Sequence, residues 1–224
     1  MPHIEQLSPH IANLIAAGEV VERPASVVKE LLENAIDAGA RNVTVELQNG
    51  GLTYLRVTDD GCGIAPDELP TAFLRHATSK LRTAADLAAI GTLGFRGEAL
   101  AAISAVSKID LLTRAQGAAD GVRLHLEAGK VLSEEPAGCP CGTTILVREL
   151  FYNTPARMKF MKSDAAEASA VFSVVQQQAL AHPEISFRFL KDGQEQLHTD
   201  GQGDRMAAIY AIYGRELANN MLSV

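Results

Sequence analysis

Apolar residues recur along this chain in two periods. Over Pro24 to Ala38, the residues Val28, Leu31, Leu32, Ala35 and Ile36 fall at helical spacing, with Pro24 and Ser26 where a helix starts. The opposite face of this predicted helix carries Glu30, Glu33, Asn34 and Asp37 at i, i+3, i+4 and i+7, with no basic residue among them. Glu33 and Asp37 are a like-charge pair one turn apart, and Asp37 stands near the end of the helix, before Gly39, where the helix dipole disfavours an anion. Such a face is either solvated or built to meet something positive. Past Gly39 the period drops to two. Val43, Val45 and Leu47 alternate, "NGG" turns the chain, and Tyr54 to Thr58 runs back.

Further along, "APDELPTAFLRHA" predicts a helix. "TSKLRTAADLAAIGTLGFRG" predicts a long connection with a short helix in its middle and glycines at its end. "EALAAISAV" predicts an apolar helix, and "SKIDLLTR", "GVRLHLEAG" and "GTTILVREL" three more strands. "DAAEASAVFSVVQQQALAH" predicts a helix and "ISFRFLKDG" a strand with a turn. Strands and helices do not alternate one for one. The expected fold is therefore α+β: a two-layer sandwich with a mixed, mostly antiparallel sheet and helices on one face. Near Gly201 a glycine-rich link leads into a new helix. Residues 1–200 are expected to form one domain, and 201–224 a linker and the first helix of a second.

Composition narrows the function classes. The 224 residues are 47% hydrophobic, enough for a sizeable core, and no apolar run is long enough to span a bilayer. The first 24 residues lack a basic stretch followed by an apolar one, so no secretory signal is expected. Cys62, Cys139 and Cys141 make an odd, sparse set without a CxxC pair, which argues for a reducing compartment and against a disulfide framework; Cys139-Pro140-Cys141 has poor spacing for zinc. The net charge of -7 excludes a nucleic-acid footprint over the whole surface and leaves room for local basic patches.

Three stretches offer chemistry. "TDDGCGI" puts a carboxylate, Asp59, at a strand end before Gly61 and Gly63, an acceptor beside backbone that a ligand can approach, although an Asp-Gly turn is ordinarily only a turn. "GTLGFRGEAL" leads through glycines into a helix start, either an anion cradle of free N–H groups or a loop and nothing more. "HATSK" adds two hydroxyls and the Lys80 ammonium, and "GTT" at Gly142 to Thr144 opens a strand. There is no GxxxxGK[ST], and "GCGIAP" lacks the third glycine of a dinucleotide fingerprint.

Taken together and in this order, "IAAGEVVERPASVVKELLENAIDAGA", "DDGCGI", "RHATSK", "GFRGEAL" and "LFYNTPARMKF" resemble the GHKL or Bergerat-fold ATPases. That group contains type II topoisomerase ATPase subunits, heat-shock chaperones, histidine kinases and the MutL mismatch-repair proteins, and the match is to the MutL branch. The similarity covers about Ile15 to Phe160 and continues more weakly to the end. The resemblance implies ATP and Mg²⁺ as ligands. It makes Glu30 the general base, Asn34 the Mg²⁺ ligand and Asp59 the reader of adenine's exocyclic amine. It places Ala38, Gly61 and Gly63 against the nucleotide and Thr143 in support of the base or of Asp59. It makes Thr78, Ser79, Lys80, Gly94, Phe95, Arg96, Gly97, Glu98, Ala99 and Leu100 a lid and phosphate cradle. Glu33 and Asp37 would orient water or anchor backbone.

Asp60 stands where many members of the family have Asn, outside these roles. In the family a lysine from a second, transducer-like domain reaches the γ-phosphate, and no residue of this sequence is assigned that part. The resemblance further implies a cytoplasmic DNA mismatch repair factor whose ATP turnover gates N-terminal dimerisation. Its partners would be a MutS-type recognition protein, DNA, downstream repair factors and a second copy of itself, with no membrane. No endonuclease activity is expected of this region. Two other readings use the same residues: a nucleotide-binding scaffold without turnover, which has no need of Glu30, and a histidine kinase, which needs a phosphoacceptor His on a separate helical domain.

Overall fold

The computed structural model describes residues 9–77 and 97–220. The chain enters through α1 (Pro9–Val20) and α2 (Pro24–Asp37). It then forms β1 (Asn42–Gln48), a 3₁₀ turn at Asn49–Gly51, β2 (Tyr54–Asp59) and a single helical turn α3 (Leu69–Ala72). Helix α4 (Ala99–Ala105) leads to β3 (Lys108–Arg114), β4 (Gly121–Glu127), β5 (Lys130–Ala137) and β6 (Gly142–Arg148). A turn α5 (Pro155–Met158), the long α6 (Asp164–Ala181), β7 (Ser186–Lys191), β8 (Gln194–His198), α7 (Arg205–Tyr213) and α8 (Arg215–Asn219) complete it.

The strands form one sheet in the order β5-β4-β3-β6-β2-β1-β7-β8, antiparallel throughout except for β1 beside β7. This is the mixed, mostly antiparallel sheet that the sequence pattern leads one to expect. One face is apolar: Val43, Val45, Leu47, Leu55, Val57, Ile109, Leu111, Ile145, Val147, Phe187 and Phe189 are buried there. Fully burying a side chain such as Leu47 or Leu55 stabilises by about 1.5–3 kcal/mol. Alternate positions carry polar partners, such as Glu46 with Arg56, and Asp110 with His125 and Arg148. Against the apolar face lie α2 and α6, and α1 packs on α4.

Helix α2 begins with Pro24 at its first turn, where the missing N–H costs nothing. The side chain of Arg23, just before it, pairs with the fully buried Glu167 of α6 through two hydrogen bonds of 3.1 and 2.8 Å. The helix ends in a Schellman motif: Gly39 takes φ 73, its N–H donates to Ile36, and the N–H of Ala40 donates to Ala35. This end matters below, because it abuts the end of β2.

Several elements differ from the pattern reading. The helix expected over "APDELPTAFLRHA" shrinks to the one turn α3, because Pro70 cannot donate within a longer helix and His76 turns to φ 62. Helix α1 and the edge strands β5 and β8 have no counterpart in that reading. Almost every residue of β5 is exposed and β8 buries only Leu197, so neither shows the alternation by which a strand is read. The short helix expected between Thr78 and Gly97 lies outside the described residues. Among the described residues no helix is long and apolar enough to cross a membrane.

Candidate functional site

The end of β2 is held by a cluster of hydrogen bonds to Asp59 and Asp60. Asp59 Oδ1 accepts a hydrogen bond from the Gly61 amide at 2.9 Å, and the carboxylate also accepts from the Thr143 amide of the neighbouring β6. Burial pushes the Asp59 carboxyl above the usual carboxylate range; those two amides oppose the rise and the charge of Asp60 adds to it. Asp60 moves the other way. Its burial is outweighed by the Asn42 side chain and the amides of Asn42 and Arg41, at 2.7, 2.8 and 2.7 Å, which hold it below the usual range. Two consecutive carboxylates thus divide their work: Asp60 clamps the start of β1, and Asp59 stays harder to ionise at the strand end.

The glycines here serve packing. A Cβ on Gly61 would fall 2.8 Å from Ala38 Cβ and 2.9 Å from the Ala38 carbonyl. A Cβ on Gly63, which has φ 70, would fall 2.1 Å from the Arg114 carbonyl. The Cys62 amide donates to the Ala38 carbonyl at 2.9 Å, joining the last turn of α2 to the Asp59 loop. Ala38, Asp59, Gly61, Gly63 and Thr143 are therefore brought together.

Thr113 is a member of this cluster that the sequence reading missed. It is buried, and its Oγ1 donates to the Gly142 carbonyl at 3.0 Å and accepts from the Ile64 amide at 3.0 Å. With its one proton committed, it must accept at 3.1 Å from the Thr143 hydroxyl. Thr143 is thereby turned so that its oxygen presents lone pairs. The signal was in "KIDLLTR": a hydroxyl occupies the third inward position after Ile109 and Leu111.

On α2 the polar residues separate. Glu33 is buried with Lys29 at 3.8 Å, one turn away, so the helix does offer it a cation. Glu30, Asn34 and Asp37 remain partly exposed. Of the second glycine cluster, Gly97, Glu98, Ala99 and Leu100 stand at the start of α4, which packs on α1 and α2. Gly97, at φ 62, lies on the Ala77 backbone, where a Cβ would fall 2.5 Å from the carbonyl, so the chain leaves at Ala77 and returns at one point. The Glu98 carboxylate faces His76 at 3.1 Å and Arg75 at 3.7 Å. Thr78, Ser79, Lys80, Gly94, Phe95 and Arg96 lie outside the described residues. A cleft of about 310 Å³ opens between α1 and α4 and is lined in part by Leu14, Val20, Phe73 and Lys130; Asp59 and the polar residues of α2 take no part in it.

Residues 22–136 match the histidine kinase-, DNA gyrase B- and HSP90-like ATPases. The whole chain is 51% identical over 224 residues to the DNA mismatch repair protein MutL of Agathobacter rectalis, and 52% identical over 225 residues to that of Symbiobacterium thermophilum. The solved MutL ATPase domain of Aquifex aeolicus, complexed with ADP, superposes with a TM-score of 0.73 at 32% identity, over 87% of this chain and 70% of that one. This chain belongs to the MutL mismatch-repair ATPases. It covers 35% of each of the two curated relatives, so it corresponds to about a third of a MutL protein. The strand-end carboxylate, the α2 face and the α4 start accordingly belong to a GHKL ATPase domain of the MutL type. Among its described residues no group of three or more His, Cys, Asp or Glu side chains is placed to hold a metal ion.

Proposed function

We propose that this domain binds ATP with the base at Asp59 and the phosphates along α2, and hydrolyses it with Glu30 as general base. The supporting observation is the bond from the Cys62 amide to the Ala38 carbonyl, which holds the C-terminal end of α2 against the Asp59 loop. At 1.5 Å per residue, Asn34 lies about 6 Å and Glu30 about 12 Å back along the helix from Ala38. One extended ligand then runs from a base-reading carboxylate to a proton acceptor. Asp59 accepts from the exocyclic amine of adenine, whereas guanine presents an oxygen there and is refused. Glu30 takes a proton from water as the water oxygen attacks the γ-phosphorus and the bond to ADP breaks.

Asn34 fits a Mg²⁺ site of the kind in which one neutral amide oxygen is joined by phosphate oxygens and waters, and the ion would supply charge neutralisation at the phosphates. Asp37 orients water or neighbouring backbone. Residues 78–97 close over the triphosphate as a lid, with Lys80 and the Gly97–Leu100 helix start at the phosphates. Closure brings two N-terminal domains together, and hydrolysis releases them, so that turnover times the engagement of a MutS-type protein, downstream factors and DNA. Residues 201–224 open a second, transducer-like domain, and turnover is slow without that domain's residues.

The test is magnesium-dependent phosphate release by a protein extended through the second domain, with Glu30→Ala beside the parent. Nucleotide binding is expected to survive and single-turnover hydrolysis to fall on the order of 10²–10⁴-fold. Parent-like hydrolysis removes Glu30 as the base. Joint loss of binding and turnover makes it a structural residue.

A further inference from the structure

Three free thiols stand on the loops around Asp59: Cys62 is exposed, and Cys139 and Cys141 are partly buried. The Cys141 thiol donates to the Gly61 carbonyl at 3.5 Å, and the Cys62 thiol to the Gly63 carbonyl at 3.5 Å. The Gly61 carbonyl belongs to the peptide that leads into Cys62. In a planar trans peptide that oxygen sits about 2.8 Å from the next Cα. The two distances together place the Cys141 sulfur within about 6.3 Å of Cys62 Cα. In a disulfide a sulfur stands about 4 Å from its partner's Cα, so a shift of about 2 Å, which one change of rotamer at Cys141 supplies, brings the two sulfurs within bonding reach once each leaves its carbonyl. Cys139 is committed elsewhere: its sulfur lies over Gly121, where an added Cβ would fall 2.4 Å from it.

We propose that Cys62 and Cys141 form a reversible disulfide that shuts the site at Asp59, an inference that rests on the reading of Asp59 as the base-binding carboxylate. The oxidant is a peroxide. The exposed Cys62 thiolate attacks one peroxide oxygen, forming a sulfenic acid and releasing hydroxide. The Cys141 sulfur then attacks the sulfenic sulfur and expels the oxygen as water. Two thiols give up two electrons and two protons, and hydrogen peroxide becomes two waters. A dithiol reverses the bond by exchange.

The consequence for the site follows from the peptide that the bond would pull. Drawing Cys62 toward β6 swings the 61–62 peptide. Its N–H leaves the Ala38 carbonyl, and Gly61, whose amide holds Asp59 at 2.9 Å, has no room to follow on the Ala38 side. The carboxylate loses its alignment and α2 its tie to the loop. In a reducing compartment such a bond is transient, as suits a sensor.

The test treats the reduced protein with hydrogen peroxide, traps remaining thiols with an alkylating agent, maps the linked peptides and measures ATP binding before and after. The expected result is a Cys62–Cys141 link with the loss of two hydrogens, and ATP binding weaker by about tenfold or more, the equivalent of one well-placed hydrogen bond. Dithiothreitol restores both. Cys141→Ser and Cys62→Ser each keep ATP affinity through the treatment, and Cys139→Ser behaves as the parent. A Cys139–Cys141 link, no link, or a Cys62–Cys141 link with unchanged ATP affinity overturns the proposal. Failure of the untreated, reduced protein to bind ATP overturns the Asp59 reading itself, and the peptide map distinguishes that result from a failure of the thiol pair.

Discussion

Replacing Asp59 by asparagine separates what the carboxylate does for the fold from what it does for a ligand. The folded protein holds the Asp59 proton more tightly than an unfolded chain does, because burial outweighs the Gly61 and Thr143 amides. A folded pKa above the unfolded one means that ionisation costs stability. The loss sets in as the pH rises through the unfolded value, about 3.9 for Asp, and is complete above the raised folded value. The parent bears that cost at every pH above the unfolded value. The substituted side chain would keep an oxygen to accept the Gly61 amide and bear no charge, so Asp59→Asn is expected to be more stable than the parent at pH 7 and to lose that advantage near pH 3. ATP affinity is expected to move the opposite way. A charge-assisted hydrogen bond contributes roughly 1.5–3 kcal/mol, so its loss weakens ATP by roughly 10- to 150-fold. The side-chain amide can also donate to the guanine oxygen, so the preference of ATP over GTP narrows. Denaturation midpoints at the two pH values, with calorimetric titration of ATP and GTP, check both halves. Parent-like ATP affinity would refute the adenine assignment. A variant less stable than the parent at pH 7 would refute the desolvation argument.

Four further outcomes are open to measurement. Glu167→Ala leaves Arg23 without its partner. Breaking a buried pair costs about 3–5 kcal/mol, and the lower end is expected because the Arg23 side chain is 33% exposed; urea denaturation reads it. Arg23 and the Lys162 amide hold the Glu167 pKa below its usual range against its burial, so the pair's stabilisation is full above the unfolded Glu value and is lost as the pH falls through the lowered one; a pH series of melts that is flat there for the parent refutes it. Asn34→Ala is expected to lose magnesium-dependent ATP binding, and equal affinity across a magnesium titration removes Asn34 from the site. A non-hydrolysable ATP analogue is expected to slow amide exchange over residues 78–97, and unchanged exchange at saturation counts against phosphate contact there.

What could be read from the sequence is what local periodicity encodes. The 3.6-residue stripe of α2, the alternation of Val43, Val45 and Leu47, and the Asp59 strand end depend on neighbours a few residues apart, and the structure keeps all three. The resemblance carried the family, because long quoted motifs survive independently of any geometry. Tertiary structure decided the rest. The acidic face of α2 looked uniform, yet Glu33 turned to Lys29 and became buried. Gly61 and Gly63 looked like open approaches to a ligand, yet each fits against backbone or a side chain, Ala38 in one case and Arg114 in the other. Thr113 meets Thr143 across 30 positions, and Arg23 meets Glu167 across 144. Strands β5 and β8 exist because the sheet supplies β4 and β7 as partners for segments with almost no buried face of their own. A pattern along the chain reports only which side of an element is apolar; which residue from a distant element arrives at that side is set by the packing of the whole sheet and its helices.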